Sequence, residues 1–183
     1  MQRWDELAEK FSRITDKTGR PIDTGILETV VALNALDITT SMSCEGHLDH
    51  GLPYPWIDVG ISSYARGYDT PEIQQLILRL RELRREQDKD IKMQQLWQEE
   101  NKLRLQQRYR LFGCLAEFYK KREVPFDRII TFVSSGRIRS QGGDFLELLS
   151  PDEREQKLHE YQDEMRQFTA FLKSVYFDHH QEL

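Results

Sequence analysis

The side chains best equipped for chemistry lie at residues 43–50, Ser-Cys-Glu-Gly-His-Leu-Asp-His, where a thiol, two carboxylates and two imidazoles are gathered. Cys44, His47 and His50, successive members separated by two intervening residues, form a soft and borderline ligand set that suits zinc. Asp49 or Asp58 can supply an oxygen, and water can complete a tetrahedron. The sequence adds no CxxC, HxxxH or HExxH, and the other histidines are His159, His179 and His180. The same residues also allow a nucleophilic thiol at Cys44 activated by His47, although Glu45 beside it raises the thiol pKa. The inert alternative is a buried Cys44 that closes a strand.

Anion binding is the third chemistry, and it uses a second stretch, Gly-Arg-Ile-Arg-Ser-Gln-Gly at 136–142. Backbone N–H groups around Gly46, the Ser43 hydroxyl, Cys44 and the His47 imidazole line one side of such a site. Arg137, Arg139 and Ser140 add donors suited to phosphate on the other, and Arg66 is placed to contribute. Tyr54, Trp56 and Tyr64 offer faces on which a base could stack. The opposing expectation is that these aromatics are core and that the arginines pair with Asp144 or Glu147.

Elements must hold these stretches in place. Trp4, Leu7, Phe11 and Ile14 follow helical spacing, and Gly19 and Pro21 end that helix. A second helix is expected from Asp23 to Ala35, with Asp23 or Thr24 as its N-cap. Residues 38–43 read as a strand running into the Gly46 turn, and 55–62 as its partner. Thr70, Pro71 and Glu72 signal a long helical segment with no Gly or Pro until Gly113. Its apolar stripe fades through RREQDKD and resumes at Leu96, so one projecting helix and a helical hairpin both fit. Strands are expected at 128–133 and 144–149. A last helix begins at Ser150-Pro151 with Glu153 closing a capping box, and carries Leu158, Tyr161, Met165, Phe168, Leu172 and Val175.

The chain of 183 residues is 38% hydrophobic and 31% charged with 10 Gly and 6 Pro, which excludes collagen-like and low-complexity classes. Net charge is −5 over residues 1–70, +4 over 71–123 and −4 over 124–183, so a generic nucleic-acid binder is disfavoured. No apolar run approaches the roughly 20 residues of a membrane span. A cytoplasmic protein with two unpaired thiols, Cys44 and Cys114, is expected, with no membrane partner.

The stretch from Asp16 to His47 resembles the opening of the wybutosine-synthesis tRNA methyltransferase family, which carries an Asp-Lys-Ser/Thr-x-x-Gly entry, a helix ending near Asn and then Thr-Ser-Ser-Cys-Ser-Gly-Arg. The matching residues are Asp16, Lys17, Asn34, Thr40, Ser43, Cys44 and Gly46, and the 136–142 stretch is loosely similar to the family's Gly-Phe-Arg-x-Ser-Gly. Glu45 and His47 stand where the family has Ser and Arg, and residues 70–123 have no counterpart. The resemblance implies a mixed fold, a taste for nucleotides and, at its furthest, S-adenosylmethionine-dependent methylation of RNA. Similar Ser-Cys-Glu-Gly-His stretches occur in phage and bacterial proteins.

Together these observations predict a single α/β (α+β mixed) domain over 1–183. A small mixed sheet is wrapped by helices, and a helical arm at 71–123 is inserted between the two sheet-forming halves. The expected function is binding or sequestration of a nucleotide-like, phosphate-bearing ligand by Ser43, Cys44, Gly46, His47, Arg66, Arg137, Arg139 and Ser140. Pairing of two copies through the arm is also expected. The alternatives are an enzyme and a helical interaction protein. The enzyme would be a methyltransferase with Glu45 or His47 as base, or a zinc-assisted hydrolase using Cys44, His47 and His50.

Overall fold

Helix α2 (Thr24–Ala35) is apolar on almost every side, and such a helix is stable only inside a protein. Ile26, Val30, Val31, Ala32, Leu33 and Ala35 are accordingly buried. In this computed structural model, which describes residues 4–16, 18–60, 90–133 and 136–181 together with positions 75, 78, 79 and 82, everything else is arranged around that helix. Helix α1 (Trp4–Ser12) lays Leu7 and Phe11 against it. Helix α4 (Pro151–Gln181) covers it along its length with Met165, Phe168, Leu172 and Tyr176.

The α4 start is the expected capping box. Ser150 N–H and Oγ donate to the Glu153 carboxylate at 2.8 and 2.7 Å, and Glu153 N–H donates back to Ser150 Oγ at 3.4 Å. Tyr176 rather than Val175 carries the apolar stripe into its last turns, and Trp4 rests against Tyr176 and Phe177.

The other side of α2 meets a sheet of four strands, β1 (Thr40–Cys44), β2 (Trp56–Val59), β3 (Ile130–Phe132) and β4 (Arg137–Ser140), in the order β1-β2-β4-β3. The fold is therefore the expected mixture of helices and a small sheet. Every pairing is antiparallel, where a mixed sheet was expected. The connections explain two of the three pairings: β1 joins β2, and β3 joins β4, through links too short for a parallel crossover. Ile57, Val59 and Ile138 point into the helical core, while Trp56, Asp58, Arg137 and Arg139 alternate onto the opposite face.

The strand expected at 144–149 is absent. Residues Gln141–Leu148 form a 3-10 helix instead, and the fourth strand is the Arg-Ile-Arg-Ser sequence that was read as a connection. Only Leu146 and the two glycines Gly142 and Gly143 are buried in that helix, so no alternating face exists there for a sheet.

Helix α3 (Asp90–Tyr119) accounts for the second half of the expected arm. Its last turns belong to the core through Leu111, Leu115 and Phe118, with Phe118 against Phe168 and Phe171. Leu105, Tyr109 and Phe112 are exposed. The start at Pro71 and the RREQDKD turn fall outside the described residues. Among those described, no helix is long and apolar enough to cross a membrane.

Candidate functional site

Strand β1 ends where α2 begins, and the turn between β1 and β2 folds back over that junction. Two carboxylates stitch it together. Asp23, at the N-cap position of α2, accepts the backbone N–H of Glu45 at 3.1 Å. Glu45 in turn accepts Gly25 N–H at 2.6 Å, so each residue satisfies a backbone donor of the other's element. The fit leaves no room at Gly25, where a Cβ would lie 2.5 Å from Glu45 Oε2. Gln162 of α4 holds the same junction by donating to Glu45 O at 3.1 Å.

The turn itself is fixed by Gly46. Its φ of +88° is in the left-handed region, and a Cβ there would stand 2.6 Å from the Tyr54 carbonyl carbon and 2.8 Å from Leu158 Cδ1. Gly46 N–H points at Cys44 Sγ at 3.4 Å, and His47 N–H is taken by Leu52 O at 3.1 Å. These contacts turn the Cys44 thiol and the His47 ring toward Asp23. His47 Nε2 lies 3.4 Å from Asp23 Oδ2, and donor atoms of Asp23, Cys44 and His47 all lie within 4.8 Å of one another.

A second group, His47, Asp49 and His50, has the same spread. It is built differently. The two imidazoles are stacked, with centroids 4.1 Å apart and planes 16° from parallel, and His50 Nδ1 is held by Asp49 at 2.8 Å. A metal bound to imidazole lies in the plane of the ring on the nitrogen lone pair, and one ion cannot lie in both of two stacked planes. Of the expected trio, Cys44 and His47 come together beside Asp23, while His50 falls in the other group with His47 and Asp49. Of the oxygen donors expected with it, Asp58 is engaged by Arg137 and Asp49 by His50.

The environment of the thiol is anionic. Burial pushes the Cys44 pKa up, the charges of Asp23 and Glu45 push it further, and the Gly46 N–H only partly opposes them. An activated thiolate needs the reverse, so the nucleophile reading lacks its electropositive setting. Glu45, a candidate base, spends its carboxylate on the α2 N-terminus.

The residues expected to hold phosphate are divided. Cys44, Arg137 and Arg139 share the outer face of the sheet. Ser140 is buried on the face of Ile138, and Ser43 lies opposite Ile57. Cys44 and Arg139 both pair with Trp56, one on each side, which separates them by roughly two strand spacings, about 10 Å. Arg137 lies over the Trp56 ring at 3.6 Å and forks onto Asp58 through Nε and Nη2 at 2.6 and 3.0 Å. Arg139 is buried and pairs with Asp144, beside Tyr54. Arg66 and Tyr64 lie outside the described residues. Tyr54 and Trp56 pack with Leu146, Leu149 and Tyr161 in a second small core.

Sequence reasoning named Asp23 only as a cap. Its side chain makes no cap hydrogen bond and accepts Glu45 N–H instead, a long-range contact that no local pattern signals. Two of the residues on which the expected methyltransferase resemblance rests, Asp16 and Asn34, have structural partners here. Asp16 Oδ1 accepts Thr18 N–H and Arg20 N–H at 2.7 and 2.9 Å, and Asn34 Nδ2 donates to Thr40 Oγ1 at 2.9 Å. Lys17 lies outside the described residues.

Fold and site together define a small α/β protein with a thiol, imidazole and carboxylate cluster at the end of an antiparallel sheet. No family model, curated protein or solved structure matches the chain.

Proposed function

We propose that the protein binds a thiophilic divalent metal ion, with zinc the natural example, through Asp23, Cys44 and His47, and that metal-assisted hydrolysis is the chemistry this centre serves. The observation that carries the reading is the convergence of three unlike donors within 4.8 Å, one from the start of α2 and two from the turn after β1. Zinc bonded at 2.0–2.3 Å to such donors sets them roughly 3.3–3.6 Å apart. The Asp23–His47 pair is already at 3.4 Å, and closing the rest takes about an ångström. A cation also suits the charge. Asp23, Glu45 and the thiol are negative or become so, and a bound metal displaces the thiol proton.

The rival proposal, a nucleotide-like anion, asks for free donors in the same place. The N–H groups of Gly25, Glu45, Gly46 and His47 have acceptors, and both arginines have carboxylates. Phosphate would have to displace each of them.

One titration separates the two. The protein is stripped with EDTA, dialysed, and followed by thermal unfolding and native mass spectrometry with zinc, ATP or S-adenosylmethionine. The expected result is one zinc per chain and, at a hundredfold excess over Kd, about 2.7 kcal/mol of stabilisation. For a chain of this size that raises Tm by roughly 5–11 °C. Asp23→Asn, Cys44→Ser and His47→Gln should each weaken zinc binding by about tenfold to a hundredfold or more. A Tm shift with ATP or S-adenosylmethionine, with zinc inert, would overturn the metal reading in favour of the nucleotide one.

A further inference from the structure

We infer that the metal centre is an open, three-ligand one, whose fourth position is held by water and exchanges with small oxygen or anionic ligands from solvent; this rests on the reading that Asp23, Cys44 and His47 hold a metal. Structural zinc sites are closed by four protein ligands, whereas sites that act on substrates keep one position for water. An open centre therefore requires that the chain supply no fourth ligand.

Each neighbouring donor is committed elsewhere. Glu45 stands closest in sequence, but its Oε2 caps Gly25 N–H at 2.6 Å, and moving it to a metal would uncap α2. His50 is stacked on His47, so its lone pairs do not point at an ion lying in the His47 plane. Asp58 is forked by Arg137 on the far side of Trp56. Among the described residues no further histidine, cysteine or carboxylate joins Asp23, Cys44 and His47 within the same spread.

The open side is reachable. The Asp23 and His47 side chains are 33% and 22% exposed, so water and small solutes reach the donors without a change of fold. The backbone around them is held from three directions, by the Asp23–Glu45–Gly25 exchange, by Gly46 against Tyr54 and by Gln162 from α4. A polarisable carbonyl or phosphoryl oxygen is the class of group that would replace the water.

Cobalt(II) tests the inference on the whole chain. EDTA-treated protein is loaded with one equivalent of cobalt, and a thiolate-to-cobalt charge-transfer band, lost in Cys44→Ser, is expected. Its absence would sink the metal reading itself. With the band present, sodium azide is titrated in. The expected outcome is a saturable change in the visible cobalt bands at one azide per centre, unaltered in His50→Ala and in Glu45→Gln. Visible bands that azide leaves unchanged mean a closed site, which overturns the inference while leaving the metal in place. A spectrum that changes coordination in His50→Ala makes His50 the fourth ligand and overturns it in the same way. Circular dichroism of each variant separates a lost ligand from a lost fold.

Discussion

At the scale of single residues, the turn that gathers Asp23, Cys44 and His47 is governed by Gly46. Two separate demands fall on this position, a φ of +88° and the backbone of Tyr54 within 2.6 Å of a would-be Cβ. Gly19 has the first demand, with φ of +83°, and nothing within 4 Å. The pair makes an internal control. Gly46→Ala should cost about 2–4 kcal/mol from strain plus crowding, and Gly19→Ala about 1 kcal/mol from strain alone. In thermal unfolding that is a Tm loss of roughly 5–15 °C against a few degrees. Equal losses would mean that the Tyr54 contact relaxes freely. Residue identity made the Ser-Cys-Glu-Gly-His stretch conspicuous, but it did not reveal which partner each side chain takes. Glu45 looks like a base beside a thiol and serves as a helix cap, because the N-terminus of α2 presents unsatisfied N–H groups at that spot. Asp23 looks like a cap and faces the thiol and imidazole.

At the scale of elements, α4 is tied to the 3-10 turn Phe126–Arg128 by a polar trio. Lys157 donates to Asp127 at 2.7 Å, and Tyr161 OH donates to the same carboxylate at 3.3 Å. Burial would push the Asp127 pKa up, but the Lys157 hydrogen bond and charge, with the Tyr161 hydroxyl, outweigh it and hold the carboxyl below its ordinary value. The folded value thus lies under the unfolded one. The trio's contribution is full above the unfolded pKa and is lost as pH falls through the folded one. Both charged partners reach solvent, so about 1 kcal/mol or less is at stake. Asp127→Asn should therefore lower stability by that amount near pH 7 and by progressively less below about pH 4, as read by urea denaturation across pH. A loss independent of pH would assign the effect to packing. Helices α1 and α4 were legible because their apolar positions repeat at helical spacing, α2 because an unbroken apolar run follows a capping residue, β1 from the β-branched residues leading into it and β2 from its alternation. Strand β4 was not: Arg137 and Arg139 occupy its outward positions and find Asp58 and Asp144, so a paired strand carries the signature of a polar loop. Phe145 and Leu148 mimic a strand in sequence, yet both are exposed on the 3-10 helix.

At the scale of the molecule, one buried charge joins the pieces that the sequence could not connect. Glu164 of α4 is fully buried, and it accepts Arg122 Nη2 at 3.0 and 3.1 Å, Arg128 Nη2 at 3.4 Å and Tyr119 OH at 3.1 Å. Tyr119 OH also receives Ile130 N–H at 2.7 Å, so the end of α3, the 3-10 turn, the start of β3 and the middle of α4 meet on a single carboxylate. Nothing in helical periodicity forecasts this, because Glu164 neighbours Met165 on the buried side of α4 and a lone acid there reads as a surface residue. Removing one partner of a buried ion pair typically costs 3–5 kcal/mol, most of it from the charge left behind. Here the charges left behind are arginines 30% and 23% exposed, which can turn to water, so Glu164→Gln should cost less, about 2–3 kcal/mol. Arg122→Met should cost less still, since Arg128 and Tyr119 continue to serve the carboxylate. The double variant should then fall short of the sum of the singles. Additive losses in a urea-denaturation cycle would mean that Glu164 and Arg122 act independently. The carboxylate would then be held mainly by Tyr119 and Arg128, and α3 would dock on α4 through the Tyr119 hydroxyl and Phe118 without help from Arg122.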